Sequence, residues 1–372
     1  MPDAPAPANG PPTLSIVVPT FREAANIPVL FERLKAKLAG IPWEMIVVDD
    51  NSPDGTYDVA FALAKDDARM RCLRRVNRNG LSGAVIEGML ASSAELVCVI
   101  DGDLQHDEAI IPAMHKALWD GEGNMAIGTR VGDDAVVAGL SPMRQKLSDL
   151  GAWFFRRVAG VAVKDPMSGF FMMRREIAAR LAPKLSPEGF KILVDIILSE
   201  GRGLKIVETP YVFRQRQAGE SKLSLLVGFD FLGLVAHHAS GGVLPIRFVL
   251  FALIGGFGLL VHLAALKFLL NAGGPESFTV SQLAATLVAM ASNFILNNEI
   301  TYRAIRYRGF AKFGGLALFA ALCGVGVLAN IDIAAWLYKN EGVWWAAGIA
   351  GAMVGVVWNY AVSSAFVWRR RR

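Results

Sequence analysis

Two aspartates stand one residue apart in the segment CVIDGDLQHDE, directly after an apolar run that is typical of a buried strand. Beyond the end of a strand, Asp101, Asp103 and the side-chain amide of Gln105 can turn toward one cation. Their ligand atoms are all oxygens, which suit Mg²⁺ or Mn²⁺ far better than zinc. A hard cation with open coordination positions can bridge a diphosphate and stabilise it as it leaves. The segment therefore predicts a metal site for phosphate chemistry, with a solvated acidic turn as the alternative.

The elements before and after this segment alternate between strand-like and helix-like patterns. The strand candidates are LSIVVP, WEMIVVDD, RCLRRV, ELVCVID and MAIGTR, and the helical candidates include Ala24–Leu38 and Gly83–Ser92. Apolar strands that alternate with helices are typical of a mostly parallel, Rossmann-like α/β sheet that helices cover on both faces. In such sheets ligands bind at the carboxyl ends of the strands. The polar segments PTFRE, DDNSPDGT, DGDLQ and GTR are therefore expected to meet at one edge.

The pattern from residue 141 to 244 is less regular. Arg144–Ala159 and Gly189–Glu200 have helical spacing, whereas SGFFMM and KIVETPYVF are strand-like. Leu223–His238 is apolar with few charges, and we interpret it as an interfacial helix on the membrane before the first span, with a plain buried helix as the alternative.

Four apolar stretches follow. They are Phe248–Leu270, Val280–Leu296, Phe313–Leu337 and Val343–Trp368. Each is near or above the ~17–25 residues that a helix needs to cross a bilayer, so four transmembrane helices are predicted. The linker 301–312 and the last four residues carry most of the nearby Arg and Lys, which places both chain ends in the cytoplasm of a multi-pass protein of the cell membrane.

Charge and cysteine content exclude several other classes of protein. The net charge of +5 fits anionic lipid at the membrane face better than nucleic acid, because no nucleic-acid-binding motif accompanies it. The three cysteines are widely spaced and indicate neither a disulfide framework nor a zinc site. The predicted organisation is a disordered tail (1–12), a catalytic α/β domain (13–220), an interfacial helical linker (221–244) and a four-helix membrane domain (245–372).

Six ordered motifs resemble one enzyme family. They are VVPTFRE, VVDDNSPDGT, DGDLQH, DPMSGFFMM, GFKILVDII and RQAGESKL. In this order they are similar to polyprenol-phosphate (dolichol-phosphate) mannose synthases, which are family 2 glycosyltransferases of the GT-A fold. The last 125 or so residues resemble the GtrA-like membrane domain, with NFILNNEITYR as the clearest signature.

The resemblance implies roles for particular residues. Donor binding would involve Pro19, Phe21, Glu23, Val48, Asp50, Asp101, Gly102, Asp103, Gln105, Arg216 and Lys222. The metal would be held by Asp101, Asp103 and Gln105. The acceptor phosphate would be bound by Arg130, Arg144 and Ser148. The catalytic residues would be Asp103, Arg130 and Arg216.

The chemistry is consistent with a reaction that needs positive charge more than a base. A lipid phosphate monoester has a second pKa near ~6, so its oxygen is already largely ionised at neutral pH. The histidines form no evident base and nucleophile pair, and His106 is interpreted as a surface residue, with substrate contact as the alternative. Arginine, which pairs with phosphate in a fork, can position the acceptor and neutralise the leaving diphosphate.

We therefore predict a metal-dependent, inverting transfer of mannose from GDP-mannose to polyprenyl phosphate at the cytoplasmic face of the bilayer, in one step. UDP-glucose as donor, and a lipid-phosphosugar flippase or scaffold without catalysis, are the alternatives. A processive polysaccharide synthase is disfavoured, because the Gln-x-x-Arg-Trp motif of such enzymes does not occur in the chain.

Overall fold

The computed structural model describes residues 11–78, 80–131, 155, 157–187, 191–214, 225–273, 278–325 and 356–368. The chain divides into two compact units, Met1–Ala239 and Ser240–Arg372. The first contains the sheet and the second is helical in its described part.

A seven-stranded sheet lies at the centre of the first unit, in the order β3-β2-β1-β4-β6-β5-β7. The strands are β1 (Leu14–Thr20), β2 (Trp43–Asp49), β3 (Met70–Arg74), β4 (Leu96–Val99), β5 (Met125–Val131), β6 (Phe171–Arg174) and β7 (Ile206–Val212). All neighbouring strands pair in parallel except β6, which runs antiparallel to both β4 and β5. The predicted α/β, mostly parallel sheet is confirmed.

Helices cover this sheet. They are α1 (Asn26–Lys37), α2 (Thr56–Asp66), α3 (Leu81–Ala91), α4 (Ile111–Trp119), α5 (Arg175–Leu181), α6 (Ile192–Glu200) and α7 (Leu225–Ala239). Every residue of β1 and β2 is buried, which explains the unbroken apolar runs in their sequences. The spacing predicted α1, α3 and α6 but left α2, α4 and α5 without an assignment.

Helix α1 shows how the sequence directs this packing. Its buried residues are Ile27, Leu30, Phe31 and Leu34, a spacing that puts one apolar stripe on one face of the helix. The stripe belongs to the same core cluster as the inward side chains of β1 and β2, and the Phe31 ring meets Trp43 edge-on at 5.7 Å between centroids. The loop between β1 and α1 is thereby held at the carboxyl edge of the sheet.

Helix α7, which the sequence predicted as an interfacial helix, packs within the first unit. Leu234 and Val235 are buried, and His238 Nε2 lies 2.9 Å from Oδ1 of the buried Asp195 on α6. The other oxygen of Asp195 accepts a hydrogen bond from the Ser186 N–H at 2.7 Å. The helix is therefore attached to α6 by apolar and polar contacts, and its position on a membrane stays a prediction.

The described part of the second unit contains four helices, α8 (Ile246–Gly273), α9 (Phe278–Leu296), α10 (Ala311–Val325) and α11 (Val356–Val367). Only one of them, over Ile246–Ala272, meets the length and apolarity that a membrane crossing requires. Parts of the predicted third and fourth spans lie outside the described residues, so the predicted count of four spans stays a prediction.

Aromatic rings hold the described helix ends of this unit together. Tyr302 stacks on Trp368 with 4.3 Å between centroids, and Phe294 also stacks on Trp368 at 5.5 Å. The indole N–H of Trp368 donates to Asn298 Oδ1 at 3.2 Å, and the same oxygen accepts from the Tyr307 N–H at 2.8 Å. The NFILNNEITYR segment is thus a structural junction between α9 and the end of α11.

Helix α3 approaches the sheet closely because Gly88 has no side chain. A Cβ atom at this position would overlap the side chain of Val17 on β1 and lie 3.0 Å from Val48 on β2. Both valines are fully buried, so neither can move aside without disturbing the core.

We predict that Gly88→Ala lowers the free energy of unfolding by about 1–3 kcal/mol, the usual cost of overpacking a close-packed core. Thermal denaturation of the full chain in detergent measures the effect. The matched control is Gly256→Ala, a helical glycine at which an added Cβ meets nothing within 4 Å. Equal stability of the two variants would contradict the packing argument.

Candidate active site

The loops after β1, β2 and β4 converge at one edge of the sheet. The Arg22 N–H donates to Ser52 Oγ at 3.0 Å, and the Glu23 N–H donates to Thr56 Oγ1 at 3.0 Å, which ties the first loop to the second. After β4, a Cβ on Gly102 would lie 3.4–3.5 Å from side chains of the β1 strand and its loop. The predicted convergence of these polar segments is confirmed.

The residues expected around the donor nucleotide differ in their exposure. Phe21 is 52% exposed, with the Arg22 guanidinium 5.4 Å from its ring centroid. Pro19 and Val48 are buried in the sheet. Both side chains pack within the sheet, and donor contact at these two positions stays a prediction.

Asp50, at the end of β2, is held by a residue that the sequence reasoning missed. Arg75, only 3% exposed, pairs with Asp50 Oδ1, and the Gly80 N–H donates to Oδ2 at 2.7 Å. Burial raises the pKa of Asp50, and these hydrogen bonds act in the opposite direction. An arginine directly after a strand beside an aspartate-rich loop was the available signal.

The DGDLQ segment forms a tight turn after β4. Leu104 adopts a positive φ of 62°, and Asp103 Oδ1 accepts the Gln105 N–H at 3.2 Å. The amide nitrogen of Gln105 donates to the Arg214 carbonyl at 3.2 Å, so its side-chain oxygen is the atom left for a cation. Arg214, which the sequence reasoning also missed, fixes this turn through ion pairs with Asp107 and Glu108 at 2.6 Å.

The antiparallel strand β6 brings a second segment to the same edge. Because β6 runs against β4 and β5, the DPMSG segment that precedes it lies at their carboxyl ends, and Phe171 pairs with both Val99 and Ile127. A Cβ on Gly169 would lie only 2.5 Å from Asp101 Oδ2, so glycine permits this close approach. Ser168 Oγ donates to the Gly128 carbonyl at 2.7 Å and anchors the segment to β5.

A cavity of about 90 Å³ opens beside Asp101. Its polar wall is formed by Asp101, Ser168, Gly169 and Lys191, and the remainder by Pro166, Met167 and aliphatic side chains of α3, β4 and α6. A pocket with one polar and one apolar wall suits a small ligand that has both kinds of surface. Lys191, from the GFKILVDII motif, was not predicted as a site residue.

Arg130 ends β5 beside this segment. Its Nε and Nη2 donate to the two oxygens of Asp165 at 2.7 and 2.9 Å, and the guanidinium lies 5.6 Å from the centroid of the Phe213 ring. Hydrogen bonding to Asp165 raises the pKa of Arg130, which therefore remains charged, and the charge of Asp101 acts in the same direction. The arrangement keeps a fixed cation near the Asp101 carboxylate.

His106 is buried, which corrects the interpretation of it as a surface residue. It is 5% exposed, its Nε2 lies 3.2 Å from Asp101 Oδ2, and its Nδ1 lies 2.5 Å from the Tyr211 hydroxyl. The rings of Phe170, directly before β6, and Tyr211 on β7 pack against the imidazole, a contact that local sequence does not reveal.

The side chains predicted to hold the divalent cation carry suitable ligand atoms. Asp101 and Asp103 supply carboxylate oxygens and Gln105 an amide oxygen, which are the ligands that Mg²⁺ and Mn²⁺ prefer. Within the described residues there is no group of three or more His, Cys, Asp and Glu side chains placed to hold a metal. A cation held by Asp101, Asp103 and Gln105 would keep coordination positions for the oxygens of a diphosphate and for water.

Four predicted site residues lie outside the described residues. They are Arg144, Ser148, Arg216 and Lys222. The structure thus brings together Glu23, Asp50, the DGDLQ carboxylates and Arg130, and it adds Arg75, Asp165, Tyr211 and Arg214 to the set found from sequence.

Two family descriptions match the chain. Glycosyl transferase family 2 covers residues 15–181, and the GtrA/DPMS transmembrane domain covers residues 250–368. The first includes every strand from β1 to β6, and the second covers most of the second structural unit. The chain is accordingly a membrane-associated glycosyltransferase with a GT-A catalytic domain.

Curated relatives differ in the share of the chain that they match. A dolichol-phosphate mannosyltransferase of Pyrococcus furiosus is 33% identical over 352 residues, which is 94% of this chain and 96% of the relative. One of Saccharomyces cerevisiae is 32% identical over 226 residues, 59% of this chain and 84% of the relative. A crystal structure of glucosyl-3-phosphoglycerate synthase from Mycobacterium tuberculosis aligns with a TM-score of 0.49 at 20% identity, over 62% of this chain and 80% of that one.

The similarity to the Pyrococcus furiosus protein spans nearly the whole of both sequences. The chain belongs to the dolichol-phosphate mannosyltransferase family.

Proposed function

We propose that the protein transfers mannose from GDP-mannose to a polyprenyl phosphate of the dolichyl type, giving polyprenyl phosphate β-mannose and GDP. The observation that carries the proposal is the placement of the Asp101 carboxylate, the Arg130 guanidinium and a cavity at one sheet edge. The names of the relatives, all dolichol-phosphate mannosyltransferases, support the sugar and the acceptor class.

In this proposal Asp101, Asp103 and Gln105 hold Mg²⁺ or Mn²⁺. The cation supplies charge neutralisation for the diphosphate of the donor. Glu23 and Asp50, at the ends of β1 and β2, lie on the side where the nucleotide would bind. Arg216 and Lys222 are proposed to add positive charge at the donor phosphates.

The acceptor phosphate would be bound by Arg130, with Arg144 and Ser148 as further proposed contacts. Two of the guanidinium N–H groups of Arg130 are used by Asp165, which fixes the plane of the group while other N–H donors can face a phosphate. Since a phosphate monoester is largely ionised at neutral pH, orientation and charge suffice and no general base is required.

The cavity beside Asp101 is proposed to hold the transferred hexose. A sugar has apolar C–H faces and a rim of hydroxyl groups, which match the aliphatic wall and the polar wall formed by Ser168 and Lys191. The phosphate oxygen would attack the anomeric carbon as the bond to the diphosphate breaks. One such displacement inverts an α-linked donor into a β-linked product.

The reaction would take place at the cytoplasmic face of the cell membrane. The segment that joins α9 to α10 carries Arg303, Arg306 and Arg308, and Lys312 follows in the first turn of α10. Basic residues near helix ends stay preferentially on the cytoplasmic side. The exposed apolar side chains along α8, such as Leu260 and Phe268, suit contact with lipid.

Transfer of radiolabelled sugar into the organic phase tests the proposal. The full chain in detergent receives polyprenyl phosphate with Mg²⁺ or Mn²⁺, and in parallel either GDP-mannose or UDP-glucose. Label that enters the lipid from GDP-mannose and requires the metal supports the proposal. Label only from UDP-glucose contradicts the donor, and transfer from neither favours a flippase or scaffold.

We predict that Asp103→Ala lowers the transfer rate by at least about 100-fold, the cost of removing one group that stabilises developing charge. Initial rates at saturating donor and acceptor measure the loss. Asp120→Asn is the matched control, because its carboxylate pairs with the exposed Lys116 on α4, a surface ion pair. A rate for Asp103→Ala equal to that of the control would rule out the metal-ligand role.

We predict that Arg130→Lys lowers kcat/KM for polyprenyl phosphate by roughly 10–100-fold, because lysine cannot bind Asp165 and a phosphate in a fork at once. Steady-state kinetics with varied acceptor and fixed donor give the value. The control is Arg180→Lys. Arg180 donates two hydrogen bonds to the Glu200 carboxylate at the surface, so this change is expected to leave kcat/KM unchanged. A change in the KM for the donor alone would argue against acceptor binding.

A further inference from the structure

His106 has a buried environment that its place in the sequence did not suggest. It is 5% exposed and is surrounded by the rings of Phe170, Tyr211 and Phe213, whose centroids lie 5.3, 5.7 and 5.4 Å from that of the imidazole. A polar ring in such a site needs a hydrogen-bond partner for each nitrogen. Both nitrogens of His106 have one.

The two partners define the tautomer of the imidazole. A carboxylate oxygen accepts hydrogen bonds, so the Nε2 that lies 3.2 Å from Asp101 Oδ2 carries a hydrogen and donates to it. In a neutral imidazole one nitrogen donates and the other accepts. Nδ1 therefore accepts from the Tyr211 hydroxyl, which lies 2.5 Å away.

The same carboxylate oxygen is confined from a second side. A Cβ on Gly169 would lie 2.5 Å from Asp101 Oδ2, so the glycine backbone packs directly against it. The hydrogen bond and this contact together restrict rotation of the Asp101 carboxylate. As a result they determine the direction in which its other oxygen, Oδ1, points.

We propose that His106, oriented by Tyr211, is a positioning residue that holds the Asp101 carboxylate ready for the divalent cation. In this arrangement both side chains act through Asp101. Partners of this kind orient metal ligands and strengthen binding, and their removal typically lowers metal affinity about 10–100-fold. The inference rests on the proposed metal-dependent transfer and names residues that support it.

The test measures Mn²⁺ affinity directly, apart from activity. The full chain in detergent is titrated with Mn²⁺ in the presence of GDP, and free Mn²⁺ is quantified by electron paramagnetic resonance. We expect the apparent Kd to rise about 10–100-fold in His106→Leu, which removes the donor but keeps an apolar side chain. His106→Gln, whose amide nitrogen can take the place of Nε2, should recover most of the affinity.

Tyr211→Phe tests the contact between the Tyr211 hydroxyl and His106. It also keeps the inference falsifiable if His106→Leu does not fold. Without the hydroxyl the imidazole can place its hydrogen on Nδ1, which would turn a lone pair toward Asp101, so the Kd for Mn²⁺ should also rise. His115→Leu is the matched control, because His115 lies on α4, where its ring stacks on Trp119. Thermal unfolding of each variant establishes the folded fraction.

Wild-type Mn²⁺ affinity in folded Tyr211→Phe and His106→Leu would overturn the inference. Equal losses of stability in His106→Leu and His106→Gln, with Mn²⁺ affinity unchanged, would show a purely structural role and overturn it as well. Absence of Mn²⁺ binding by the wild-type protein with GDP would instead overturn the proposed metal dependence, and the inference with it.

Discussion

The first unit depends on one constraint: the charged side chains at one edge of its sheet must be paired with opposite charges. Parallel strands end together, so the polar residues that follow them are forced close to one another and partly out of water. A buried charge is costly unless it is paired. Asp50 is therefore matched with Arg75, and Arg130 with Asp165. These pairs leave fixed charges in a set geometry, which is the arrangement that phosphate chemistry requires.

The antiparallel β6 makes this edge complete. A fully parallel sheet would send the segment before β6 to the opposite edge, away from the loops after β1, β2 and β4. Reversal of one strand delivers Asp165 to Arg130 and Gly169 to Asp101. The same reversal brings Phe170 against His106. One change of strand direction thus supplies an ion-pair partner, a close backbone contact and part of an apolar enclosure.

The second unit follows a different physical rule. Its helices expose apolar side chains, such as Leu260 and Phe268, because lipid rather than water is their expected surroundings. Order at their ends comes from stacked rings and from Asn298, which links Tyr307 to Trp368. A polar junction of this kind satisfies main-chain groups where α9 ends. The described part of the second unit therefore depends on apolar helices and on the contacts of the short NFILNNEITYR segment.

The sequence by itself determined the class of fold, the carboxylate segment and the apolar character of the second unit, because each depends on periodicity or on residues close together in the chain. It placed the seven strands of the sheet, and the polar loops after β1, β2 and β4, correctly. Only the tertiary structure decided which side chains of the site contact one another. Tyr211 and His106 stand 105 positions apart, and Arg75 and Asp50 stand 25 apart. Local pattern carries no information about such contacts, since strand order and direction alone bring these residues together.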